Sequence, residues 1–153
     1  MQRPFPAYQG DEPYVFVSYA HDDAPVVYPE ISRLRDQGFN IWYDEGIEPG
    51  SSWRDEIALS LSQCSAWLFF VSPRSVVSAN CEQELNFALS RERKMLCVHL
   101  EPTELPPGME LSLSTKQAIV RADYSQDAYE AKLQASLRAQ LPASNPLLSL
   151  NVP

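Results

Sequence analysis

Two carboxylates, Glu82 and Glu84, stand in the segment Ser72-Pro73-Arg74-Ser75-Val76-Val77-Ser78-Ala79-Asn80-Cys81-Glu82-Gln83-Glu84-Leu85. The segment joins the most apolar run of the chain, Ala66 to Val71, to a helical pattern that ends near Arg93. A buried strand that stops at Ser-Pro and reopens as a helix puts the helix's first turn at the strand's carboxyl end, where open α/β sheets bind ligands. Helical spacing sets Asn80, Glu84 and Phe87 (i, i+4, i+7) on one line beside the core face. A carboxylate between an amide and an aromatic ring can form the wall of a ligand site. The competing reading is helix electrostatics, since acids in a first turn favour the positive end of the macrodipole by ~0.3–1 kcal/mol.

The remaining chemistry-bearing residues narrow the choice. Asp22, Asp23 and Asp44 suggest the acidic pocket of a phosphoacceptor receiver, but that pattern needs Asp after the third strand and Lys after the fifth. Ser72-Pro73 and Arg121 stand there instead. No Gly-rich turn follows the first strand, and the chain has only five glycines, so a dinucleotide fingerprint fails. His21 falls in a loop open to a site role, whereas His99 falls in a strand and reads as core. Neither belongs to a metal-ligand cluster in the sequence, and no metal is expected. Trp42, Tyr43 and Trp53 bracket an acidic loop, either as core and lid packing or as stacking surface for a ligand base.

These residues need a scaffold, and the periodicity supplies one. Tyr14–Tyr19, Phe39–Tyr43, Ala66–Val71, Met95–Leu100 and Gln117–Val120 read as strands. Helical patterns lie between them: one after Asp22 or Asp23 as a cap, with Pro29 marking a kink or a late start and Gly38 at its close. A second follows Ser52, with Ser52 and Asp55 as a capping box. A third runs from about Asn80 to Arg93, with Cys81, Leu85, Ala88 and Leu89 as its stripe. The last carries Tyr129, Leu133, Leu137 and Leu141. Glu101–Gly108 reads as a loop, and Leu111–Thr115 has no clear assignment. The alternation predicts an α/β fold, a flavodoxin-like three-layer sandwich with a five-stranded parallel sheet and helices on both faces. Residues 1–12 read as a flexible leader, 13–141 as the domain, and 142–153 as a linker or truncated tail.

Composition bounds the setting. The chain has 153 residues, 44% apolar and 21% charged, which suits one globular domain. A net charge of −8 argues against nucleic acid or an anionic membrane surface as the main partner. No apolar run approaches the ~20 residues of a membrane span. Cys64, Cys81 and Cys97 are odd in number and widely spaced, and they read as reduced core residues of a cytoplasmic protein.

Several segments together resemble a TIR (Toll/interleukin-1 receptor) domain of the bacterial type. Phe16-Val17-Ser18-Tyr19 with His21-Asp22-Asp23 resembles the family's first box. Trp42-Tyr43-Asp44 through Glu48-Pro49-Gly50 resembles the second-strand motif and its BB loop. Val71-Ser72-Pro73 with Ser78 to Leu85 resembles the Ser-x-Trp-Cys-x-x-Glu segment. The match runs from about Pro13 to Leu141.

The resemblance implies cleavage of NAD at the nicotinamide–ribose bond, giving nicotinamide and ADP-ribose or a cyclic isomer, with NAD as substrate and no cofactor. By the same resemblance Glu84 is the catalytic residue; for substrate binding, Ser18, Tyr19 and His21 are expected to shape the pocket rim, Asp44, Glu45 and Trp53 to line its opening, and Asn80 to stand beside Glu84 in the wall. The BB loop, Gly46, Ile47, Glu48, Pro49 and Gly50, is an interface with other TIR domains, assembled as a homo-oligomer or filament. A sensor domain fused on the C-terminal side would drive an effector role in antiphage defence or signalling. The chain departs from the pattern at Asn80, where the family has Trp. Two other classes are a non-catalytic TIR scaffold or mimic of host signalling, and a nucleoside deoxyribosyltransferase-like enzyme with a Glu acting at an N-glycosidic bond. Free base released from nucleosides would mark the last of these.

Overall fold

Five strands, Val15–Ser18 (β1), Ile41–Trp42 (β2), Ala66–Val71 (β3), Met95–His99 (β4) and Gln117–Val120 (β5), pair in parallel in the order β2-β1-β3-β4-β5. The computed structural model describes residues 2–46 and 53–142. Helices Ala24–Asp36 (α1), Trp53–Gln63 (α2), Ala79–Ser90 (α3), Pro107–Leu113 (α4) and Gln126–Gln140 (α5) cover both faces. This is the flavodoxin-like arrangement, and its strand order reverses between β1 and β3.

The apolar pattern explains the layers. All six residues of β3 are buried, as a central strand covered on both sides requires. Val15, Val17 and Tyr19 join one core cluster with α1 and α5, while Phe16, Trp67 and Phe69 join the opposite cluster with α2 and α3. Strand alternation produces this division. Register confirms it, with Phe16 opposite Trp67 and Ser18 opposite Phe69.

Several local expectations are corrected. The first and second strands are shorter than the apolar runs that announce them, and β2 lies at the sheet edge, paired only with β1. The segment expected as a flexible leader packs instead: Phe5 and Ala7 are buried, and the Tyr8 amide donates to the Ile41 carbonyl at 2.9 Å. Its backbone thus covers part of an otherwise open edge. Helix α1 starts at Ala24, five residues before Pro29, so a late start is not what Pro29 marks. Asp23 precedes α1 without a side-chain cap bond. Its carboxylate accepts from Ser72 Oγ at 2.5 Å and from the Arg74 guanidinium.

Gly38, at φ +98°, ends α1 in a conformation other residues rarely adopt. The expected proline-rich loop gives way at Pro107 to α4, where proline in the first turn costs no helical bond and Met109 and Leu113 reach the core. Ser52, expected as a cap, lies outside the described residues. No helix among the described residues is long and apolar enough to cross a membrane.

Candidate active site

The two carboxylates of the opening segment part company in the fold. Ser78 caps α3, its side chain accepting from the Cys81 amide at 3.3 Å, so the helix starts at Ala79 and Glu84 falls in its second turn. Cys81, Leu85 and Ala88 are buried and fix the helix's rotation. Glu82 then faces solvent, while Glu84 turns toward the end of β1 and is partly buried. Ser18 is two residues beyond Phe16 and therefore on the same sheet face. Its hydroxyl donates to Glu84 Oε1 at 2.5 Å and accepts from Trp67 Nε1 at 2.7 Å. A chain of indole, hydroxyl and carboxylate thus crosses from β3 through β1 to α3.

Burial raises the Glu84 carboxyl to about 8, and the negative charge of Asp44 adds to the rise. The Ser18 hydrogen bond and the His21 charge oppose it. Against this carboxyl lies a cavity of about 260 Å³, walled by Trp53, Arg54, Ile57, Ala58 and Leu61 of α2 and by Asn80, Gln83, Glu84 and Phe87 of α3. The line Asn80, Glu84, Phe87 is one wall of it.

The other expected site residues take different places. Tyr19 points to the opposite sheet face, buried, with its hydroxyl 3.3 Å from that of Tyr28. It also borders a second hollow of about 280 Å³ with His21, Asp22, Arg74, Ser78 and Asn80, so Asn80 stands between the two spaces. Asp44, Glu45 and Gly46 form a 3-10 turn after β2. Asp44 Oδ2 lies 3.1 Å and Glu45 Oε1 3.5 Å from His21 Nε2, and the Tyr28 hydroxyl donates to Glu45.

The hydrogen bond to Asp44 raises His21 to about 9 against the opposing effect of burial, so it is an imidazolium at neutral pH. The sequence showed no metal-ligand cluster around either histidine. The fold does gather one, since ligand-capable atoms of His21, Asp44 and Glu45 lie within 4.8 Å of one another. Ion pairing accounts for that grouping. His99 ends β4 half-buried. Trp53 is 45% exposed at the cavity, whereas Trp42 and Tyr43 are core. Of the BB-loop residues, Ile47, Glu48, Pro49 and Gly50 lie outside the described residues.

Sequence reasoning missed Trp67, Arg54 and Gln83. Trp67 looked like one more apolar residue of β3, although its N–H must find an acceptor when buried. Arg54 and Gln83 carry no motif and are placed only by the packing of α2 against α3.

A family model described as TIR domain matches residues 15–137. The chain belongs to the TIR domain family. A relative from Bacteroides thetaiotaomicron, the 2′ cyclic ADP-D-ribose synthase BtTIR, is 34% identical over 79 residues, covering 50% of this TIR domain chain and 28% of that protein. The chain therefore spans little more than a quarter of that curated relative. The crystal structure of the TIR domain of the Toll-related receptor TRR-2 from Hydra magnipapillata superposes with a TM-score of 0.66 at 19% identity, over 81% of this chain and 97% of that one. The CMP N-glycosidase BcmB of Clostridium botulinum superposes at 0.58 and 14% identity, over 78% and 97%. At these identities the two structures speak for the fold alone.

Proposed function

We propose that this TIR domain cleaves NAD at the nicotinamide–ribose bond, with Glu84 as the catalytic residue. The observation that carries the reading is a partly buried carboxylate, oriented by Ser18 at the carboxyl end of β1 and set in the wall of a cavity between α2 and α3. The relative named as a cyclic ADP-ribose synthase supports the same reaction class.

Such a site needs little else. Nicotinamide leaves NAD carrying the electron pair of the broken C1′–N bond, which neutralises its ring, so no general acid is required. The ribose is left as an oxocarbenium-like cation, which an adjacent carboxylate stabilises. Attack by water at C1′, with loss of a proton, gives ADP-ribose; attack by a hydroxyl of the same molecule gives a cyclic isomer. The positive nicotinamide ring beside Glu84 favours the carboxylate form and draws its pKa below that of the empty site.

In this proposal turnover depends on assembly through the BB loop, and the domain serves as the cytoplasmic effector of a larger defence or signalling protein. Three buried, unpaired thiols fit a reducing compartment.

Nicotinamide release from NAD, measured at rising protein concentration with and without a crowding agent beside Glu84→Gln, tests the reading. Release that grows faster than linearly and vanishes in the variant is expected. Undiminished release by a folded Glu84→Gln would sink the role of Glu84. A second reading, the non-catalytic scaffold, draws on Asn80, which leaves one cavity wall without an indole. It predicts no release from a demonstrably assembled sample and binding to other TIR domains that depends on the BB loop.

A further inference from the structure

We infer that Arg54 holds the diphosphate of a dinucleotide whose glycosidic end lies at Glu84. The inference rests on the proposed NAD-cleaving reading and adds to it the residue that selects for a phosphorylated substrate.

Among the described residues lining the Glu84 cavity, Arg54 and Glu84 are the two of formal charge. Arg54 stands exposed on the first turn of α2, and Glu84 stands on α3. The other arginines are largely committed. Arg33, Arg74 and Arg121 pair with carboxylates, and Arg35, Arg91 and Arg138 lie over the rings of Phe5, Phe87 and Phe39. The Arg54 side chain makes no ion pair, hydrogen bond or ring contact with any of the described residues.

Size and charge then fix the polarity of the ligand. At about 260 Å³ the cavity is smaller than the ~300 Å³ or more of a pocket that encloses a drug-sized molecule. It admits a base and one ribose, so the diphosphate must stay at the rim. On the side of Asp44 and Glu45 an anion would meet two carboxylates, with one imidazolium already shared between them. At Arg54 it meets a guanidinium that no carboxylate among the described residues holds, and whose planar fork suits two phosphate oxygens. The nicotinamide–ribose end at Glu84 and the diphosphate at Arg54 thus match charge to charge.

The test is calorimetry with two probes in a Glu84→Gln background that suppresses turnover. ADP-ribose carries the diphosphate without nicotinamide; nicotinamide riboside carries the glycosidic bond without phosphate. Arg54→Ala is expected to weaken ADP-ribose binding ten-fold or more and nicotinamide riboside less than two-fold, with Arg54→Lys between. An unchanged melting temperature checks the fold. Equal losses for the two probes, no loss for ADP-ribose, or no binding of ADP-ribose to the parent would overturn the inference. If the contrast appears but no Glu84-dependent nicotinamide release is found, the diphosphate site stands and the NAD-cleaving reading falls.

Discussion

Two glutamates of this domain are withdrawn from water, and they are treated in opposite ways. Glu30, on α1, is 1% exposed, and burial raises its carboxyl while Arg121 and Arg33 oppose the rise from 3.3 Å each. Arg33 is itself held by Glu130 at 2.8 Å. Among the described residues no such cation is in contact with Glu84; a serine hydroxyl is its hydrogen-bond partner, and a cavity lies against it. A buried acid surrounded by fixed cations is neutralised by the protein and has nothing left to offer a ligand. A buried acid opposite empty space is an unmet charge, which a cationic ligand or transition state can meet. Burial alone therefore does not distinguish the two carboxylates; what faces each of them does.

Exchanging each acid for its amide should break this comparison in opposite directions. Glu84→Gln should lower NAD cleavage on the order of 10³-fold while leaving the fold intact, read by nicotinamide release and by thermal melting. Glu30→Gln should do the reverse, costing about 1–3 kcal/mol of stability through the lost ion pairs, with turnover retained, read by urea unfolding beside the same assay. If Glu30→Gln abolished turnover at full stability, the assignment of roles would be wrong.

The Ser18 contact sharpens the comparison further. Ser18→Ala removes the bond that lowers the Glu84 pKa and leaves the Trp67 N–H without its acceptor. The free-enzyme pH profile, kcat/KM rising through about 8 in the parent, should shift to higher pH, and stability should fall by about 1–3 kcal/mol. A profile that stayed in place would mean another group controls the ascending limb.

The smallest effects are linked to pH. The Glu84 pKa is raised in the folded state, so the stability it contributes is fully present below about 4.5 and lost as pH rises through about 8. Melting curves of Glu84→Gln should lack that loss. His21 is likewise raised, from 6.5 to about 9, so its contribution is present below 6.5 and lost through about 9. His21→Ala should flatten the stability profile only in that second window.

Much of this was legible before folding. The β-branched and aromatic runs locate the strands, most clearly β3, because a strand covered on both faces has to be apolar throughout; the edge strand β5, with Gln117 and Ala118 exposed, gives a weaker pattern. Gly38 closes the first helix because it satisfies a local backbone need, whereas the cap at Ser78, which starts α3 at Ala79, was not read from the sequence. From helical spacing alone Glu84 was one of two acids, since spacing gives direction but not what lies opposite; the resemblance to the family is what singled it out. The short helix α4 was hidden because its prolines signal a loop until Met109 and Leu113 find the core. Asp23 looked like a cap because local rules rank Asp highly there, yet Ser72 and Arg74, some fifty residues on, claim its carboxylate.

What the sequence alone determined is the order and type of the elements, and with them the parallel sheet, for these follow from period and from residues close in the chain. The tertiary structure decided which carboxylate faces the cavity and what stands around it. Ser18, Trp67, Arg54 and Glu84 sit on four different elements, and only the packing of α2 and α3 against one face of β1 and β3 brings Arg54 and Glu84 to one cavity, with Ser18 and Trp67 joined to the carboxylate by hydrogen bonds. Environment is a long-range property, and a residue's chemistry depends on environment.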